Sequence, residues 1–189
     1  MSAPTGDGPP RGLMIAAIAV AVAAVVVLLA VAAIRQSDTP EEPVAISAVP
    51  APSADGPDCR SLIDALPDEL GEYRRAPTAE PTPAGAAAWR AGPDAEPVVL
   101  RCGLDRPAEF VAGAPLQMVD AVSWFRVGEE RAGEAQPAEG ARSTWYAVDR
   151  PVYVALTLPA GSGPTPIQLM SATITATLPA RPADPAPIR

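Results

Sequence analysis

PVVLRCG, residues 97–103, alternates Val98, Leu100 and Cys102 on one side with Val99 and Arg101 on the other, the two-residue period of a β-strand. That parity puts Cys102 on the core side and Arg101 on the opposite face. Upstream, Cys59, Leu62, Ile63, Leu66 and Leu70 follow the spacing of one helical face, with Asp58 placed to cap the first turn. Pro67 interrupts the helical ladder, so a helix is expected over about 59–66, with a further turn starting at the proline. Both cysteines therefore sit on apolar faces that must pack together. A Cys59–Cys102 disulfide would staple helix to sheet, and closing the 42 intervening residues is worth about 4 kcal/mol in the chain-entropy model.

Three further runs have strand character: Ala121–Val127 (AVSWFRV), Arg142–Val148 (RSTWYAV) and Val152–Leu158 (VYVALTL). The last is the cleanest, with Val152, Val154, Leu156 and Leu158 on one side and Tyr153, Ala155 and Thr157 on the other. One buried face and one wet or lightly covered face is the pattern of an antiparallel sheet. Ala87-Ala88-Trp89 reads as a short strand or strand approach, 76–86 as loop, and 128–140 as a long acidic loop. Thr165 as cap, Pro166 at the first helical position and apolar Ile167, Met170, Ile174 and Leu178 favour a closing helix. Thr173, Thr175 and Thr177 alternate with Ile174, Ala176 and Leu178, which suits a strand instead. The expected fold class is α+β: one small domain with an antiparallel sheet of about four strands, flanked by helices.

The domain is preceded by Leu13–Ile34, LMIAAIAVAVAAVVVLLAVAAI, 22 residues without a charge. At about 1.5 Å per residue such a helix reaches roughly 33 Å, enough to cross a hydrocarbon layer of about 30 Å. Ala30-Val31-Ala32 has the small residues of a signal-peptidase site, but the apolar run exceeds the roughly 7–15 residues of a cleavable signal. It reads as an uncleaved transmembrane anchor. Arg11 and Arg35 flank it symmetrically, so charge does not orient it; a paired Cys59 and Cys102 place the C-terminal part outside the cytoplasm. The expected layout is a cytoplasmic tail (1–12), the anchor (13–34), a disordered Pro/Ala-rich linker (35–57), a disulfide-stapled extracytoplasmic domain (58–178) and a disordered tail (179–189).

Helix, strand and cysteine signals together carry a family resemblance. The succession C-x-x-L-I-x-A-L-P from Cys59, then Ala87-Ala88-Trp89, then Arg101-Cys102-Gly103, then the strands around Trp124 and Val152, resembles the actinobacterial membrane-anchored proteins called domain of unknown function 3515. It covers residues 59–178. The chain departs from that pattern after Trp89, where Arg90–Glu96 intervenes and Gly is the family's usual residue. The resemblance implies a membrane-anchored extracytoplasmic protein and confers no activity.

The 189-residue chain has a formal net charge of −8. Beyond Arg35 it holds 21 acidic and 12 basic side chains, a balance that repels phosphate backbones and excludes nucleic acid as a partner. All 14 basic residues are Arg, with no His and no Lys. Imidazole bases, Ser-His and Cys-His pairs, the usual zinc sites, Schiff bases and P-loop lysines are thereby removed. A cysteine pair in a disulfide removes thiolate chemistry too. No catalytic residue, metal or cofactor is expected. Asp105, Glu109 and Asp120 remain as acids for a carboxylate-dependent hydrolase of wall glycan, the alternative reading, and Glu129, Glu130, Glu134 and Glu139 lack the spacing of a calcium loop.

The aromatic residues are the remaining signal. Trp124 and Phe125 are adjacent on a strand, so they point to opposite faces, and either both faces are covered or aromatic rings are exposed. The preferred reading is a non-enzymatic cell-envelope module, touching an envelope protein or wall glycan through Arg101 with Trp89, Trp124 and Trp145.

Overall fold

The computed structural model describes residues 11–37, 42–128 and 142–188. The chain divides into two compact units, residues 1–40 and 41–189. The first holds α1 (Arg11–Ser37), whose Met14–Val31 stretch is long and apolar enough to cross a membrane and has no buried residue.

Among the described residues, the second unit contains two further helices and eight strands. In chain order they are α2 (Pro57–Asp64), β1 (Glu69–Leu70), β2 (Tyr73–Ala76), β3 (Ala86–Arg90), β4 (Val98–Leu104), β5 (Leu116–Val119), β6 (Val122–Gly128), β7 (Ser143–Ala147), β8 (Tyr153–Leu158) and α3 (Thr165–Thr177). All pair antiparallel in one sheet of order β1-β2-β3-β4-β8-β7-β6-β5. The sheet is two four-stranded meanders, joined where Leu100 pairs with Leu156 and Cys102 with Val154. The α+β class stands, but the sheet has eight strands rather than about four. The missing strands have physical reasons: β1 is two residues long, β2 is half arginine, and β5 is an edge strand whose Leu116 and Met118 stay exposed, so burial never imprints an alternation on it.

Both helices cover one face. Cys59 and Leu62 of α2 and Ile167, Met170 and Ile174 of α3 pack on Trp89, Leu100, Cys102, Trp124, Val154 and Leu156, all buried. The Cys59–Cys102 disulfide is formed in the middle of this layer, its Cα atoms 5.6 Å apart. The Trp124 indole N–H donates to Ser171 Oγ (2.9 Å), whose O–H donates to the Ile167 carbonyl (2.7 Å), so the ring is buried without an orphaned donor. Trp89 likewise donates to the Pro67 carbonyl at 2.9 Å. Helix starts are shifted slightly from expectation: Gly56 precedes α2 with Pro57 in its first turn, and α3 already includes Thr165.

The opposite face is covered in part as well. Residues 42–56, expected as disordered linker, belong to the folded unit: Val44 and Ile46 are buried against Ala76, Ala88 and Val99. Val44 forms a parallel bridge with Thr78, its N–H donating to the Pro77 carbonyl (2.8 Å) and its carbonyl accepting from the Ala79 N–H (2.9 Å). The expected disordered tail is also docked: Ala186 exchanges backbone bonds with Phe110 and Ala112 (2.9 and 2.7 Å), and Asp184 pairs with Arg106 at 3.3 Å. Both segments are rich in Pro and Ala and carry few large apolar side chains. Each is held by backbone groups of a neighbouring loop, a long-range partner that composition does not reveal. Phe125, whose neighbour Trp124 lies under the helices, packs here on Phe110 with ring centroids 5.3 Å apart.

Candidate functional site

Cross-strand register decides which side chains share this second face. Arg101 on β4 pairs with Ala155 on β8, which pairs with Tyr146 on β7, while Thr157 pairs with Thr144. Residues paired across strands point the same way, so Arg101, Ala155, Tyr146, Thr144 and Thr157 form one floor. The 47–50 segment and the connection after β4, Asp105–Glu109, raise walls around it. The result is an open cleft of about 770 Å3, within the roughly 300–1,000 Å3 range of small-ligand sites.

Small and hydroxyl side chains leave the room that the cleft occupies. Ala155 has no bulk, and the Thr144 and Thr157 Oγ1 atoms lie within hydrogen-bond distance of each other at 3.0 Å. Arg101 projects from this floor half-buried. Among the described residues its guanidinium has no carboxylate partner; Nη2 reaches the Ser47 carbonyl only at 3.5 Å, and Nε is buried without a hydrogen bond. Burial holds the Arg101 guanidinium below its ordinary value; Tyr146 opposes this shift, and the like charge of Arg142 adds to it.

Tyr146 reports on both signs of charge in the cleft. Burial raises its hydroxyl above the ordinary 10.0, Glu109 adds in the same direction and Arg101 opposes. A folded value above the unfolded one contributes stability that is fully present below about pH 10 and lost as pH rises through the folded value. Tyr146→Phe should therefore flatten the alkaline decline of the thermal midpoint. An unchanged alkaline profile in the variant would remove Tyr146 as a contributor.

The aromatic surface expected around Arg101 does not assemble. Trp89 and Trp124 are fully buried beneath α2 and α3, and Trp145, half-buried, is on that same helix side with the Arg126 guanidinium 5.4 Å from its ring. Arg101 faces the other way. The residues that accompany it, Tyr146 and the two threonines, were hidden by an unknown register. Strand parity around Trp145 did carry Tyr146 to the opposite face, and that was the available signal.

Asp105 and Glu109, two of the acids considered for hydrolysis, stand at the cleft wall, both exposed; Asp120 sits in the β5–β6 turn, away from them. A carboxyl acting as general acid needs desolvation to stay protonated, and exposed positions do not supply it. Among the described residues no three His, Cys, Asp or Glu side chains are grouped to hold a metal ion, and Glu129, Glu130, Glu134 and Glu139 lie outside those residues.

A family model described as a protein of unknown function, DUF3515, matches residues 18–183. The chain belongs to the DUF3515 family. The match begins inside α1 and runs through the 42–56 segment, the entire sheet and α3, so in this DUF3515 protein the elements that wall the cleft are part of the matched unit. No curated protein and no solved structure matches the chain.

Proposed function

We propose that this DUF3515 protein is a membrane-anchored, extracytoplasmic and non-enzymatic module that binds an acidic component of the cell envelope in the cleft over Arg101. One observation carries the reading: a half-buried guanidinium faces a cleft of about 770 Å3 with no carboxylate partner among the described residues. Burying a charge without a partner is costly, and a ligand carboxylate would offset that cost with charge-assisted hydrogen bonds. The address is supported by the apolar α1 and by the disulfide, a bond that persists in oxidising compartments. Binding is favoured over turnover because the sequence lacks His and Lys, both cysteines are bonded to each other, and the cleft carboxylates are exposed.

The test uses the whole chain in intact source cells, with a photoreactive residue at Val49 on the cleft wall and another at exposed Met118 as the off-site control. Val49 should yield an envelope adduct that Met118 does not, and Arg101→Gln should abolish it while the disulfide remains formed. Protease added outside should digest the adduct. An Arg101-independent adduct would overturn the site, and full protection from protease would overturn the orientation.

A further inference from the structure

Among the described residues three arginines line the cleft, and two are already engaged. Arg106 pairs with Asp184 at 3.3 Å and Arg142 with Glu96 at 2.7 Å, leaving Arg101 without an ion pair among the described residues. On the wall, Asp105 and Glu109 also lack ion-pair partners among those residues. Among the described residues, the unpaired charged groups of the cleft are thus one cation at its floor and two carboxylates on its wall. They lie close enough that Arg101 and Glu109 act with opposite sign on the same Tyr146 hydroxyl.

This charge pattern selects among acidic ligands. A phosphate or polyanion would carry more negative charge than Arg101 alone matches, and here it would meet Asp105 and Glu109 as like charges. A single carboxylate suits the planar fork of Arg101, with the Thr144, Thr157 and Tyr146 hydroxyls beside it to hydrogen-bond a peptide group. An amine on the same molecule would meet the wall acids. Val49, Pro50, Val127 and Ala155 add apolar surface to the same cleft.

We infer that the cleft binds a zwitterionic ligand, a short peptide whose free carboxylate pairs with Arg101 and whose free amine meets Asp105 and Glu109. The inference rests on the binding role proposed above and names its ligand class. A rigid floor of paired strands holds Arg101, while the wall acids come from the connection after β4, so the carboxylate end is the more sharply positioned of the two.

The experiment is calorimetric titration of the full-length chain in detergent micelles with the dipeptide alanyl-alanine, its C-terminal amide, its N-acetyl form and inorganic phosphate. Alanyl-alanine should bind, and amidation or acetylation should each weaken it by about tenfold or more. Phosphate should not bind. Arg101→Gln should abolish binding of the free dipeptide, and Asp105→Asn with Glu109→Gln should reduce its affinity to that of the N-acetyl form. Equal affinity for all three peptides, or phosphate binding more tightly than the dipeptide, would overturn the inference. If no peptide binds while the Val49 adduct still depends on Arg101, the ligand class is wrong and the binding site stands; loss of both results removes the site itself.

Discussion

Replacing Cys59 and Cys102 together by alanine should cost about 4 kcal/mol of stability, read as a fall in the urea midpoint of the full-length chain in micelles. The cysteines are 43 positions apart, so the bond closes a long loop and removes much of the freedom of the unfolded chain. Both are completely buried where α2 meets the sheet, and removing two sulfur atoms also leaves under-packed space beside Leu62 and Leu100. Against a typical total of about 5–15 kcal/mol, such a loss takes a large share of the margin. Reduction of the native chain should give a similar midpoint to the double variant. A difference below about 1 kcal/mol between oxidised and double-variant proteins would mean that the helix–sheet layer holds without its staple.

Much of that layer was legible in the residues. Alternation in PVVLRCG put Val98, Leu100 and Cys102 on one side, and helical spacing put Cys59 and Leu62 opposite them, which is where all five are buried. The Trp124–Phe125 neighbours left two outcomes, both faces covered or rings exposed, and the structure has both rings covered: α3 over one, Phe110 over the other. What covers the second face was not legible. Val44 and Ile46 form an alternation only three residues long, and Ala186 is held through its backbone rather than its side chain. The site was partly readable for the same reason. Arg101 could be assigned to the non-core face from its own strand, whereas its neighbours depend on register: β3 presents Ala86 and Ala88 to that face and turns Trp89 away. Register is set by pairing between distant strands and by the bulge at Cys102/Leu104, neither of which leaves a local mark.

Gly103→Ala should be the most damaging Gly→Ala change among the described glycines of the second unit, with an expected loss of about 3 kcal/mol or more from backbone strain and overpacking together. Gly103 has φ +85°, and a Cβ there would lie 2.3 Å from the Ala54 nitrogen and 2.5 Å from the Ser53 carbonyl carbon. Those are backbone atoms, so no rotamer change relieves the contact. The same approach is what docks the 42–56 segment, since the Ser53 N–H donates to the Gly103 carbonyl at 3.1 Å. Gly113 separates the two contributions: it has a similar φ of +87°, but a Cβ there would meet nothing within 4 Å, so Gly113→Ala should show only the cost of positive φ, about 1 kcal/mol. Because Val49 and Pro50 wall the cleft and the Ser47 carbonyl faces Arg101, displacing the segment should also weaken dipeptide binding. Hydrogen exchange locates the damage: in Gly103→Ala the Val44 and Ala79 amides, bonded to Pro77 and Val44, should lose protection, while the Leu156 amide of the central β4–β8 pairing retains more of it. Equal losses in the two glycine variants, with Val44 still protected, would show that the 42–56 segment does not depend on Gly103 and that the cleft wall is held elsewhere.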